Sequence, residues 1–134
     1  MLARAGLGLI AVQRADVSAA EALSASFQSR PGGAIPFLPL SVDRLLGMLA
    51  VTAGRLDTSE AHFDKALEFC RRAGYRPELA WTASEYAGAL HRRGRQGDEA
   101  RAVALDEESL AIARELRMRP LMERVLARRP ILRA

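Results

Sequence analysis

The 134-residue sequence has one cysteine, one lysine and few aromatic side chains. Because Cys70 has no second cysteine to pair with, an internal disulfide is excluded, and such cysteine usage is typical of a reducing cytoplasm. Ala and Leu dominate the apolar residues, whereas β-strands favour more Val, Ile, Thr and Tyr. The composition therefore predicts an all-α, cytoplasmic protein.

Long apolar runs are also missing. No stretch reaches the roughly eighteen apolar residues that a membrane-spanning helix needs. Residues 1–12 superficially resemble a weak signal peptide, with Arg4 ahead of a short apolar stretch. That stretch contains two glycines and aligns with the first copy of an internal repeat, so we interpret it as a helix of the fold.

Residue patterns that carry chemistry are absent as well. There is no P-loop, since Arg30-Pro-Gly-Gly lacks the lysine and the preceding strand of a phosphate loop. His62 and His91 lie far apart and have no cysteine at ligand spacing, whereas a zinc site needs at least about three ligands. The carboxylates of residues 106–108 are adjacent, so on a helix they point apart, which favours solvation over acid–base catalysis. We expect no enzyme activity, no cofactor and no metal.

The net charge of +4 comes almost wholly from arginine. Most arginines alternate with acidic residues at helical spacing, as in Glu68-x-x-x-Arg72 and Asp98-x-x-Arg101, which predicts a solvated surface of ion pairs. At the C-terminus the arginines face Glu123 alone: Arg117, Arg119, Arg124, Arg128, Arg129 and Arg133. This basic segment suits an acidic partner or a neighbouring domain, or it is a frayed tail. It also makes nucleic-acid binding the lower-ranked alternative function.

What the chain does contain is one architecture repeated at a spacing of about forty residues. Three segments carry it: Leu7-Gly8-x-x-Ala11, Leu46-Gly47-x-x-Ala50 and Tyr86-Ala87-x-x-Leu90. Each lies in an apolar helical stretch and is followed by a short turn and a second amphipathic helix. Such self-similarity predicts a solenoid of helix pairs, in which each pair buries its apolar face by stacking on a neighbour.

The repeats divide a single domain, residues 1–134, into helix pairs. We expect pairs over about 1–29, 41–74 and 77–117, a Pro- and Gly-rich loop at 30–40, and a capping helix over about 120–129. Pro130 is expected to stop that last helix, whose apolar face would be Leu121, Val125 and Leu126.

Capping residues mark where several helices begin. Asp16 and Ser18 lie in the turn that should cap the second helix, and Ser41 should cap the third. Asp57 or Thr58 opens the fourth, and with Asp57 as N-cap, Glu60 would complete a capping box. In that helix Cys70 falls on an apolar stripe with Phe63, Ala66 and Leu67, which predicts a buried thiol.

These residues resemble tetratricopeptide (TPR) repeats, whose pattern is L-G-x-x-Y, a Gly-Asp turn, A-x-x-x-F and then Pro. The middle repeat carries the best match: Leu46-Gly47-x-x-Ala50, Gly54, Ser59-x-x-x-Phe63, Ala66 and Pro77. In the third repeat Asp106 replaces the expected aromatic residue, and the first repeat, with Ala20-x-x-x-Ser24, departs furthest. The resemblance implies a TPR-like α-solenoid of about three helix-turn-helix repeats plus a C-terminal capping helix.

A narrower resemblance lies between residues 76 and 118, through Arg76-Pro77-Glu78-Leu79-Ala80, Arg93-Gly94-x-x-Gly97-Asp98 and Ala111-x-Ala113-x-Glu115-Leu116. These segments are similar to the C-terminal repeats of large bacterial signal-transduction ATPases, including MalT-like and LuxR-type regulators and TPR-tailed class III nucleotide cyclases. The resemblance implies a regulatory role in signal transduction or transcription, as a fragment of a larger protein or the product of a truncated reading frame.

In TPR-like stacks the first helix of each pair lines a concave groove. The resemblance therefore places eight residues in a partner-binding groove: Arg44, Met48, Val51, Thr52, Trp81, Ser84, Gly88 and His91. Trp81 suits an anchor, because an indole joins a large apolar surface to a polar N–H, but packing between repeats is an equal alternative. Arg44 and Arg92 suit a clamp on a peptide carboxylate.

The implied partner is a protein or a peptide. We expect no membrane partner and do not expect a nucleic-acid partner. The open first repeat, at Leu7 to Ile10, could also pair with a second copy or with repeats upstream.

Overall fold

The computed structural model describes residues 2–27 and 41–133, with side chains from 4 to 27 and from 41 to 129. These residues form seven helices and no strand: α1 (Leu2–Gln13), α2 (Val17–Phe27), α3 (Val42–Thr52), α4 (Leu56–Ala73), α5 (Arg76–Arg93), α6 (Asp98–Glu115) and α7 (Arg119–Arg133). The predicted all-α fold of stacked helix pairs with an extra C-terminal helix is confirmed. The loop expected at 30–40 lies outside the described residues.

Consecutive helices pack on each other to form the stack. α1 with α2, α3 with α4, and α5 with α6 make the three pairs, and α3 also contacts α1 and α5. One apolar cluster joins α3 through α7, and a smaller one joins α1, α2 and α3. At the centre the Phe63 ring of α4 stacks on the Tyr86 ring of α5, with centroids 5.3 Å apart.

Each first helix of a pair ends at a residue with positive φ. These residues are Ala15 (51°), Gly54 (75°) and Gly94 (64°), and each lies eight positions after the start of its repeat motif. A left-handed residue ends a helix because it turns the chain out of the helical path, and glycine adopts it without strain. Because this turn occurs at the same position in each repeat, it shows how the three repeats align in sequence.

Two of the predicted caps are confirmed. The Ser41 hydroxyl accepts a hydrogen bond from the Arg44 N–H at 3.1 Å, and the Asp16 carboxylate accepts one from the Ala19 N–H at 3.0 Å. Both side chains satisfy an N–H group that the first helical turn leaves without a backbone partner.

The capping box predicted at Asp57 and Glu60 is wrong. α4 begins at Leu56, so Arg55 takes the N-cap position and has no side-chain cap. Glu60 then lies too far into the helix to reach the cap. Its carboxylate instead accepts hydrogen bonds from Arg93 and Arg101 in the next repeat, where two guanidinium groups satisfy it better than one backbone N–H would.

Arginines connect one repeat to the next more than they connect turns of one helix. The predicted Glu68–Arg72 pair is present at 3.7 Å. The predicted Asp98–Arg101 pair is wrong, because Arg101 reaches back to Glu60 and Asp64 of α4, while Asp98 binds Arg93. The sequence predicted ion pairs within single helices, but most of the ion pairs join different helices.

The last helix differs from its prediction at the C-terminal end. Pro130 does not stop α7, which continues to Arg133. A proline removes its own N–H from the helical ladder and crowds the carbonyl four residues earlier, but its fixed φ is compatible with a helix, so it disfavours the helix without excluding it. Leu121 and Val125 are buried as predicted, whereas Leu126 is exposed.

Candidate binding groove

A groove of about 580 Å³ runs along the first helices of the pairs and is closed on one side by α7. It is lined by residues of α1, α3, α5 and α7 and of the turn after α1: Val12, Ala15, Met48, Val51, Thr52, Glu85, Gly88, Ala89, His91, Arg92, Arg124 and Arg128. Its floor is apolar and its rim is charged. Among the side chains that the structure describes, this lining combines a partly exposed apolar surface with groups that can fix a ligand's orientation.

Five of the eight sequence-predicted groove residues lie together in this lining: Met48, Val51, Thr52, Gly88 and His91. Repeat geometry explains the grouping. Val12, Val51 and His91 each lie five positions after the first residue of their repeat motif, and all three are partly buried. Equivalent helical positions in a stack face the same side, so they line one continuous surface.

Arg44 does not line the groove. Its guanidinium Nη1 donates to both carboxylate oxygens of Glu78, at 3.1 and 3.0 Å, and both side chains are largely buried. The Ser41 N–H donates to the same carboxylate at 3.1 Å. Burial raises the pKa of Glu78, and the charge of Arg44 opposes that rise. This ion pair ties the start of α3 to the start of α5, so Arg44 is unsuited to the carboxylate clamp expected from the sequence.

Trp81 lies beside that ion pair and also outside the groove lining. It is half-buried against the main apolar cluster, and the Arg44 guanidinium carbon is 5.7 Å from its ring centroid. A guanidinium at this distance attracts the ring face. This contact accords with packing between repeats, and the role of Trp81 as a partner anchor stays a prediction.

Ser84 is buried beneath an arginine from α7. Arg128 Nη2 donates to the Ser84 hydroxyl at 3.2 Å and also donates to the Asp106 carboxylate. A Cβ built on Gly88 would lie 3.0 Å from Arg128 Nη1, so the glycine leaves room for the guanidinium. Arg128 thus joins α5, α6 and α7 at the edge of the groove.

Asp106 was expected to be solvated, and this expectation is wrong. It is only 3% exposed. Besides the bond from Arg128, its carboxylate lies 3.4 Å from His91 Nε2. The other ring nitrogen of His91, Nδ1, lies 3.5 Å from the Glu99 carboxylate. His91 therefore connects the groove lining to two acidic residues of α6, and burial of Asp106 is offset by cationic and polar partners.

The rim of the groove carries a free and a paired arginine. Arg124 of α7 forms an ion pair with Glu85 at 3.1 Å. The side chain of Arg92 is exposed, and among the described residues it makes no ion pair or hydrogen bond. The groove therefore presents more positive than negative charge to a ligand.

The lining from α1 and α7 was missed by the sequence analysis. Val12 could have been found, because it occupies the position equivalent to Val51. Arg124 and Arg128 could not, because no repeat pattern showed on which side of the stack α7 would lie.

Among the described residues, no three His, Cys, Asp or Glu side chains come together in a way that could hold a metal ion. His62 is partly buried on α4, and this burial lowers its pKa. Cys70 is buried as predicted, and burial raises its pKa to about 11. Within the same part of the chain, none of the helices combines the length and apolarity required to cross a bilayer.

Comparison with known proteins gives one match. The profile of the family described as "Tetratricopeptide repeat" matches residues 40–115, which is more than half of the chain. Neither the comparison with curated proteins nor the comparison with solved structures gives a match. The matched residues cover α3 to α6, which include α3 and α5 of the groove lining.

Proposed function

Because the chain belongs to the tetratricopeptide repeat family, whose repeats generally mediate protein–protein interaction, we propose that it is a non-catalytic module that binds a partner's peptide segment in its groove. The observation that carries this proposal is the lining itself. Residues from four helices converge on one surface with an apolar floor at Met48, Val51 and Ala89 and a charged rim. Such a surface suits an extended or helical segment with alternating apolar and polar side chains.

The test uses a peptide library displayed on phage and selected on the intact chain. Selected peptides are then titrated against Val51→Glu, which places a charge on the groove floor, and against Val103→Glu. Val103 is the matched control because it is exposed on α6, outside the groove lining. We expect Val51→Glu to weaken binding at least about tenfold and Val103→Glu to leave it unchanged. Equal affinities for both variants would refute groove binding.

Arg44 and Trp81 are poor choices for this test. Both pack between repeats, so their substitution would change stability and binding together. Val51 is only partly buried, and circular dichroism of Val51→Glu gives a separate check of the fold.

The similarity of residues 76–118 to the repeats of signal-transduction ATPases supports a finer proposal, that the module regulates a larger bacterial signalling protein. An immunoblot against this segment in its source cells tests it. A band several times larger than 14.6 kDa supports a regulatory part of a multidomain protein. A band near that mass contradicts it and favours a free-standing adaptor.

The basic C-terminal segment gives little support to the nucleic-acid alternative. Three of its arginines form ion pairs within the chain: Arg119 with Glu123, Arg124 with Glu85 and Arg128 with Asp106. Arginines held by carboxylates contribute less to phosphate binding than free ones, because the existing pair must first be broken.

A further inference from the structure

The outer face of α1 exposes two large apolar side chains. Leu7 and Ile10 lie about one turn apart and are 55% and 44% exposed. Arg14, directly after the same helix, is exposed, and its side chain makes no ion pair or hydrogen bond with the described residues. We refer to Leu7, Ile10 and Arg14 as the α1 outer face.

The equivalent residues of the later repeats are buried by the helix pair before them. The position of Leu7 is taken by Leu46 and Tyr86, which are 2% and 0% exposed. Leu49 and Ala89, at the position of Ile10, are buried as well. For Tyr86 the covering group is the ring of Phe63 in α4, the second helix of the preceding pair. The α1 outer face therefore has the shape of a repeat junction whose second side is open.

The first and third repeats also share an arginine at the end of this face. Arg93 lies seven residues after Tyr86, as Arg14 lies seven after Leu7. Arg93 binds Glu60 and Asp57 of α4, the latter with Nη1 at 3.2 Å from the carboxylate. In the middle repeat the equivalent position is Ala53, and Arg55, two residues further on, binds Glu21 of α2 at 3.0 Å.

Glu21 and Glu60 occupy equivalent positions of α2 and α4. At both junctions an arginine from the later repeat thus meets a glutamate on the second helix of the earlier one. Arg14 has the repeat position of Arg93, and a carboxylate is the group that would complement it.

We propose that the α1 outer face binds an amphipathic helix of a partner polypeptide that presents an acidic residue about one turn before a large apolar or aromatic residue, as Glu60 precedes Phe63 in α4. This interaction is separate from groove binding and does not rest on it. The chain's own α7 has exposed Leu126, but it is rich in arginine, and its described acidic residue, Glu123, is already paired with Arg119. A second copy that docked through α7 would therefore bring like charges toward Arg14, which is unfavourable.

The probe is a synthetic, fluorescently labelled peptide with the sequence of residues 56–73, carrying Cys70→Ser to prevent disulfide formation. It is titrated into the intact chain and followed by fluorescence anisotropy. We expect saturable binding that Leu7→Glu weakens at least about tenfold, since it places a charge where an apolar side chain must be buried. Leu126→Glu is the matched control, because Leu126 is 42% exposed on α7, and it should leave the affinity unchanged.

A charge exchange tests the role of Arg14. Arg14→Glu should weaken binding of the first peptide and restore it for a peptide with Asp57→Arg and Glu60→Arg. Leu7, Arg14 and Leu126 are exposed, so these variants should keep the helical circular dichroism spectrum of the parent chain.

Several results would overturn the proposal. Absence of saturable binding would show that the α1 outer face does not hold such a helix. Equal binding by Leu7→Glu, or loss of binding in Val51→Glu, would show that the peptide binds elsewhere. Sedimentation that shows a dimer of the parent chain but a monomer of Leu7→Glu would identify the occupant as a second copy. Failure of the groove experiment alone would leave this proposal intact, because the two tests use different variants.

Discussion

Asp106 occupies the position at which the repeat pattern has an aromatic residue, and it is buried all the same. Its carboxylate accepts a hydrogen bond from Arg128 and lies beside His91, so charge pairing takes the place of ring packing between α5, α6 and α7. A buried carboxylate of this kind holds α7 only while its cationic partner is present.

Replacing the Asp106 carboxylate should therefore lower the free energy of unfolding more than replacing the neighbouring Glu107. Asp106→Asn leaves the Arg128 guanidinium, which is mostly buried, without its counter-charge. Because Arg128 keeps some access to water, we expect a loss of about 2 kcal/mol in the free energy of unfolding. Urea denaturation measures it, and Glu107→Gln, an exposed neighbour, should change stability by less than about 0.5 kcal/mol. Equal effects of the two substitutions would contradict the role assigned to Asp106.

Arg93 makes the stability dependent on acid. Its guanidinium lowers the pKa of Asp98 to about 2 and also lowers the pKa of Glu60. Since the pKa of Asp98 is lower in the folded chain than in the unfolded one, its contribution is complete above about pH 4 and is lost as the pH falls toward 2.

We expect the urea midpoint of the parent chain to fall across this range, and Arg93→Gln to flatten the fall. Arg92→Gln is the control, since Arg92 makes no ion pair among the described residues and its loss should leave the pH profile unchanged. A profile that Arg93→Gln does not alter would show that other carboxylates govern acid unfolding.

At the scale of the helix, the sequence predicted the elements well and their junctions less well. Periodic apolar residues, Ser41 and the turn at Gly74 located α3 and α4 to within a few residues, because these signals act within one helix. The capping box failed because Glu60 satisfies arginines of the next repeat, a contact that no local pattern reveals. Pro130 failed as a stop signal because the φ of proline is compatible with a helix, so one proline disfavours a helix without excluding it.

The close packing of α3 on α4 depends on Gly47. A Cβ at this position would lie 2.7 Å from the Phe63 ring, which is fixed between two helices. Gly47→Ala should therefore lower the free energy of unfolding by about 1–3 kcal/mol despite the higher helix propensity of alanine. Gly6→Ala is a matched control in α1, where a Cβ meets nothing within 4 Å, and it should raise stability by about 0.5–1 kcal/mol. Thermal denaturation of both variants checks the opposite signs.

At the scale of the whole molecule, the stack is held by arginines that reach from one repeat to the next. Arg55 binds Glu21, Arg71 binds Glu108 and Arg101 binds Glu60, each between neighbouring repeats. The sequence predicted ion pairs but not these partners, because partners some forty residues apart become neighbours only when the repeats stack. The same limit explains why the residues of α7 in the groove lining were missed.

The stack should not open uniformly. α4 and α5 have packed helices on both sides and belong to the larger apolar cluster, whereas among the described residues α1 and α2 contact a single neighbouring pair. In a repeat array the terminal units open more readily than the central ones. We expect amide hydrogen exchange, followed by mass spectrometry, to be slowest in α4 and α5 and fastest in α1 and α2. Equal protection along the chain would indicate that the whole stack unfolds in a single step.

The chain uses arginine rather than lysine for its ion pairs, and this has a practical consequence. Lys65, the single lysine, is exposed on α4, a helix that contributes to neither the groove lining nor the α1 outer face. Amine-directed reagents therefore have one side-chain target, besides the chain's α-amino group. A chain attached to a sensor surface through Lys65 would be held in a single orientation with both candidate interaction surfaces turned to solution.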